Sequence, residues 1–192
     1  MDTASPGDSR AAIVGQLYEL FRSKGYEGVS IGDVSAATGL GRSSLYHYFP
    51  AGKEEMAQAV VAFARQSVEQ TVLAPLSRPG DLPDRIDAML AAIREMYSGG
   101  TVPCVLASLL VGTSDSPLSR GTAEVLAEWI DGMASALKTA GIAPREATAR
   151  SVAALAQLQG AIILTRALKR PAIFRDALLA ARRTLLSTMA LA

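Results

Sequence analysis

Two short apolar-periodic runs on either side of a Gly-Leu-Gly break, within "VSIGDVSAATGLGRSSLYHYF", constrain this chain more than any other feature. Ser30 stands just before the first run with Asp33 three residues on, the pattern of a helix N-cap. Ile31, Val34 and Ala37 fall on one face of that helix, and Gly39 ends it. The second run starts near Arg42 and continues to about Tyr48, where "FPAGK" breaks it. A helix over residues 10–24 precedes both, with Ile13, Leu17, Leu20 and Phe21 on one face and Gly25 as its stop. Two short helices joined by a glycine turn behind a stabilising helix form the helix-turn-helix arrangement. That arrangement offers its second helix to the major groove of DNA.

The residues of the second run suit that use. Leu45, with Tyr48 or Phe49, turns inward, which leaves Arg42, Ser43, Ser44, Tyr46 and His47 facing out. Arginine reads guanine edges, and hydroxyls reach bases or phosphates. No acid interrupts the stretch between Asp33 and Glu54. Packing of a small three-helix unit accounts for some of the rings, but not for an outward Arg-Ser-Ser. His47 has no acid or nucleophile placed for catalysis, so no enzyme is expected. With a single Cys and a single His, a structural metal site is not expected either, and no cofactor is implied.

The remainder reads as helix throughout. Strand-forming residues are sparse, while Ala and Leu dominate. After a helix from Lys53 to about Leu73, Pro/Gly/Ser punctuation sets off helices over about 82–98, 103–113, 117–140, 145–168 and 171–190. The expected class is therefore all-α, with about nine helices. "VPCVLASLLVG" is shorter than the roughly 20 apolar residues needed to cross a bilayer, and the N-terminus has no signal-like apolar core. No membrane association and a cytoplasmic location are the expectations. Net charge is +1, with the basic excess in residues 145–192, which hold eight Lys/Arg and two Asp/Glu. Those cations are spaced helically and are expected to pair with acids such as Glu124, Glu128 and Asp131.

The stretch "SIGDVSAATGLGRSSLYHYF", followed by a lysine that opens the fourth helix, resembles the TetR family of transcriptional regulators. "YHYFPAGKEEM" and "PCVLASLLVGTSDSP" are similar to its LmrA/YxaF-like branch. The resemblance implies a homodimer. Each subunit would have a helix-turn-helix DNA-binding domain over residues 1–52 and a ligand-binding and dimerisation domain over 53–192. By position it also implies DNA contacts from Ser30, Arg42, Ser43, Ser44, Tyr46, His47 and Lys53. Arg42, Ser43 and Ser44 would face base edges, while Tyr46, His47 and Lys53 would hold phosphates. The start of the fourth helix favours anions.

In the body, Met89, Ile93, Met96 and Tyr97 recur at helical spacing, as do Trp129 and Met133. Met89, Ile93, Tyr97, Cys104, Trp129, Met133 and Gln157 are candidates to line an apolar ligand pocket with a few polar anchors. Ordinary core packing accounts for the same spacing. Cys104 has no cation near it in sequence, which suits a buried structural thiol as well as a sensor. Gln157 and Gln159 interrupt an apolar run and need partners. A dimer contact, a ligand and plain exposure all remain open for them. Ala153, Ala156 and Gly160 permit close helix approach, and Phe174, Leu178, Ala181, Leu185 and Met189 make a stripe on the last helix. These mark the expected dimer interface.

The expected function is a ligand-responsive regulator, a repressor that leaves a palindromic operator when a small hydrophobic effector binds. The alternative is a helical ligand-binding or scaffold protein whose head has lost DNA binding. An intact Arg-Ser-Ser-Leu-Tyr-His helix speaks against it.

Overall fold

The computed structural model describes residues 6–111 and 116–187, and from residue 10 onward their side chains as well. Among these residues the chain is all-α, with helices α1 (Pro6–Lys24), α2 (Ile31–Thr38), α3 (Arg42–Tyr48), α4 (Lys53–Ser67), α5 (Leu82–Met96), α6 (Val105–Leu110), α7 (Pro117–Thr139), α8 (Pro144–Leu168) and α9 (Ala172–Leu186). The chain forms two compact units. One comprises Met1–Gln66 with Val105–Val125, the other Ser67–Cys104 with Leu126–Ala192.

In the first unit α1 carries the packing surface. Ile13, Val14, Leu17 and Phe21 are buried on one side of it, together with Val34 of α2 and Leu45 and Phe49 of the α3 region. Ala37, expected on the buried stripe of α2, is exposed. An eight-residue helix makes barely two turns, and Val34 alone on it is fully covered. Gly39 closes α2 at φ 71°, with its N–H on the Ser35 carbonyl at 2.9 Å. A left-handed residue at this position is inexpensive only for glycine. α6 packs on α1, where the Ser108 hydroxyl donates to the Arg22 carbonyl at 3.0 Å.

The long fourth helix ends earlier than its apolar pattern suggests. From Val68 to Leu73 the backbone loosens to a π-helical turn, and Ala74–Ser77 tightens to a 3-10 turn. Pro75 is the cause: it has no N–H to give to residue 71, and its ring crowds that carbonyl. The expected ends of the sixth helix at 113 and the last at 190 lie outside the described residues, as does Met189.

In the second unit α8 and α9 lie against each other. Arg150 Nη1 of α8 donates to the Leu185 carbonyl at 3.3 Å, and Gln157 meets Thr184 at 3.4 Å. α9 also packs on α5, where Arg182 clasps Asp87 through Nε at 2.5 Å and Nη2 at 3.0 Å. The guanidinium hydrogen bonds hold the Asp87 carboxyl below its ordinary range. Three of the C-terminal cations find other acids than those the sequence suggested. Arg150 pairs with Glu146, Arg175 with Asp176 and Arg182 with Asp87, whereas Glu124 pairs with Arg65.

α8 bears on the membrane expectation as well. Its 25 residues have a mean hydropathy of 1.3 over the best 18, enough to span a bilayer by length and composition. Ala147, Ser151, Ala154, Leu158, Ala161, Ile162 and Thr165 bury one side of it within the fold, as in a packed core helix.

Candidate nucleic-acid interface

The first unit presents the outward row of α3. Leu45 and Phe49 are fully buried and Tyr48 is half-buried, so the helix is pinned along one side. Arg42, Ser43, Ser44, Tyr46 and His47 are all exposed. Arg42 opens the helix and has no acid in its first turn to compete for it. A row of one guanidinium, two hydroxyls, a phenol and an imidazole on a rigid helix offers donors to base edges and phosphates without an opposing carboxylate.

The turn after α3 brings the start of α4 beside that row. Gly52 has φ 71°, and a Cβ there would lie 3.3 Å from Tyr46 Cε1. The left-handed backbone favours glycine here, and a Cβ would also press lightly on the Tyr46 ring. Lys53 follows as the first residue of α4, its ammonium 4.4 Å from the centroid of the Tyr26 ring. Glu55 accepts from the Ala51 N–H at 2.9 Å. The helix N-terminus and the Lys53 ammonium favour an anion at this corner, against the Glu54 and Glu55 carboxylates of the same turn.

Ser30 has a more local occupation. Its hydroxyl accepts from the Asp33 N–H at 3.1 Å and donates to Asp33 Oδ2 at 2.6 Å, while its own N–H meets the same carboxylate at 2.9 Å. Lys24 binds the other carboxylate oxygen at 2.5 Å. The Lys24 hydrogen bond first, then those from the Ser30 hydroxyl and N–H, hold Asp33 well below the usual carboxylate range. This is a capping box. With the hydroxyl used twice, Ser30 is engaged within the chain by its own helix. Ser30→Ala is expected to cost about 0.5–2 kcal/mol and to raise hydrogen exchange in α2. Unchanged exchange there would mean the cap contributes nothing.

The other candidate residues lie in the second unit. Met89, Ile93, Tyr97, Cys104, Trp129 and Met133 are buried, while Gln157 is exposed on Thr184. The Trp129 indole N–H and Gln159 Nε2 are buried with no acceptor among the described residues. A cleft of about 390 Å³ is lined by Thr101, Thr165, Arg166, Lys169 and Pro171, none of them in that set. Of the interface candidates, Ala156 is exposed and Ala153, Gly160 and Leu178 are half-buried. Phe174, Ala181 and Leu185 are buried inside the protomer. Sequence reasoning missed the residues that do face out from α8, namely Val152, Ile163, Leu164 and Leu168, which are 46–62% exposed. The available signal was that α8 is apolar all round, with no polar face to turn to water.

Comparison with known proteins agrees with this architecture. Residues 13–60 match the profile of the bacterial regulatory proteins, tetR family, and residues 82–178 that of the transcriptional regulator LmrA/YxaF-like C-terminal domain. The HTH-type transcriptional regulator LmrA of Bacillus subtilis is 26% identical over 165 residues, covering 84% of this chain and 88% of LmrA. An uncharacterised HTH-type regulator of Mycobacterium tuberculosis is 29% identical over 156 residues, covering 77% and 78%. A TetR transcriptional regulator from Legionella pneumophila has the same fold, with a TM-score of 0.82 at 17% identity, over 96% of this chain and 99% of that one. One from Chloroflexus aurantiacus gives 0.79 at 23%, over 95% and 96%.

Proposed function

This chain belongs to the TetR family of bacterial transcriptional regulators, with an LmrA/YxaF-like C-terminal domain, and on that premise we propose that it is a cytoplasmic homodimeric repressor released from its operator by a small effector. The observation that carries the DNA-binding role is the outward row Arg42, Ser43, Ser44, Tyr46 and His47 on a helix anchored by Leu45 and Phe49. Arg42, Ser43 and Ser44 read base edges, and Tyr46, His47 and Lys53 hold phosphates. The DNA-binding domain is residues 1–52, and residues 53–192 serve the effector and the dimer. Two heads about 34–36 Å apart, or a multiple, meet successive major grooves on one duplex face and so favour a palindromic site. The effector acts by binding a head separation that no longer fits.

The outward face of α8 supports the dimer. Val152, Ala156, Gly160, Ile163, Leu164 and Leu168 form an apolar surface that a second copy would cover, with the half-buried Ala153 on the same helix. The buried Trp129 N–H, with no acceptor among the described residues, supports an effector that is apolar and carries a hydrogen-bond acceptor. Met89, Ile93, Tyr97, Cys104 and Met133 would supply its apolar walls, and Gln157 a polar anchor. A second reading has its own observation: the cleft holding Arg166 and Lys169 suits an anionic ligand.

A mobility-shift titration on the DNA flanking its own coding region tests the regulator reading. Arg42→Ala should cost about 1–3 kcal/mol and relax base preference at one position. Lys53→Ala should weaken all duplexes alike and lower the salt slope by about one. Parent-like binding by both variants would remove α3 and α4 from the contact surface.

A further inference from the structure

Tyr26, in the turn between α1 and α2, has no part in the contacts assigned so far. Its ring stacks on Phe21, with centroids 6.3 Å apart and 12° between planes. Phe21 is fully buried, so the core fixes the orientation of the Tyr26 ring. Over that ring sits the Lys53 ammonium, 4.4 Å from the centroid. Lys53 is the first residue of α4, and the next two are Glu54 and Glu55. The positive end of the helix dipole favours those acids and disfavours a cation. The negative face of an aromatic ring attracts a cation and offsets that repulsion.

We infer that Tyr26 is a positioning residue for DNA binding. It holds the Lys53 ammonium at the N-terminus of α4, so that the charge and the first-turn N–H groups meet the same phosphate. Tyr26 itself makes no contact with the nucleic acid. A lysine stem is flexible and loses rotamer freedom when a phosphate fixes it. The ring removes part of that loss before the duplex arrives. The inference rests on the phosphate role proposed above for Lys53.

The test is equilibrium binding to the duplex upstream of its own coding region, at several salt concentrations. The proteins compared are the parent, Tyr26→Phe, Tyr26→Leu, Lys53→Ala and the double variant Tyr26→Leu/Lys53→Ala. Tyr26→Phe keeps a ring face and should bind like the parent. Tyr26→Leu should weaken binding about two- to fivefold, and should add nothing in the Lys53→Ala background. In the free protein, the Lys53 side-chain proton resonances should be shifted upfield by the ring in the parent and in Tyr26→Phe, and not in Tyr26→Leu. If Lys53→Ala lowers the salt slope while Tyr26→Leu binds like the parent, the positioning role is wrong and the phosphate contact stands. If Tyr26→Phe is as weak as Tyr26→Leu, the hydroxyl acts rather than the ring face, which overturns the inference. A Tyr26→Leu defect that persists without Lys53 overturns it too, since Tyr26 would then act by another route. Parent-like binding by Lys53→Ala removes the phosphate role itself, and the inference with it.

Discussion

Ile163→Arg is expected to turn the protein into a folded monomer that no longer binds its operator. Ile163 is 62% exposed on α8, between Gly160 and Leu164 on the side away from the protomer core. An arginine there is harmless to a lone protomer, because it points to water. Under a second copy it is a charge buried in an apolar seam without a partner, which is strongly disfavoured. Monomeric heads lose the second half-site and most of the operator affinity with it. Light scattering reads the mass and a mobility shift reads the binding. Leu185→Arg makes the contrasting case. Leu185 is fully buried within the protomer, so arginine there should unfold the chain rather than dissociate it. An Ile163→Arg/Leu164→Arg protein that is folded and still scatters as a dimer would move the interface off α8.

Trp129→Ala should lower the stability of the free protein by about 3–5 kcal/mol. The side chain is 1% exposed and is among the largest that are fully buried. Removing it leaves a cavity that neighbours fill only in part. Met133, four residues along the same face of α7, is equally buried, so the loss falls in one packed cluster. Arg166→Ala, on an exposed position, should stay within about 0.5 kcal/mol of the parent. Urea midpoints separate the two. A loss below about 1 kcal/mol for Trp129→Ala would mean that the indole is not a packed core element. In a screen of hydrophobic compounds for operator release, the milder Trp129→Phe should reduce the response, since it deletes only the N–H and part of the ring. Arg166→Ala should keep it. A response lost only in Arg166→Ala would favour the anionic reading.

Much of the first unit could be read from the residues because its determinants are local. Ser30 and Asp33 lie three apart and close a capping box, and Gly39 takes the left-handed turn that a side chain resists. The inward Leu45 and Phe49 and the outward Arg42, Ser43, Ser44, Tyr46 and His47 follow from the 3.6-residue period alone. Ala37 escaped that reading, since the period gives direction but not whether a neighbour is present to cover it. Tyr26 escaped it because its partner Lys53 is 27 residues away, and only the fold brings the ring beneath the ammonium.

The second unit shows the opposite balance. Periodicity marked Phe174, Leu178, Ala181 and Leu185 as one apolar stripe, and a stripe says that burial is needed without saying against what. The fold answers with α8 and α5 of the same chain, so Phe174, Ala181 and Leu185 are covered within the protomer. α8 carries apolar residues on every side, and its outward residues have no covering element among the described ones. No sequence window separates its two faces, because the helix has no polar side to orient it. The pairing of Arg182 with Asp87 across 95 residues was equally out of reach. Sequence alone determined the helical class, the helix-turn-helix and the side of α3 that meets solvent, since backbone caps, glycine turns and helical period act within a few residues. Only the tertiary structure decided which apolar faces are covered inside the chain and which stay exposed, because that depends on which distant helix lies against them.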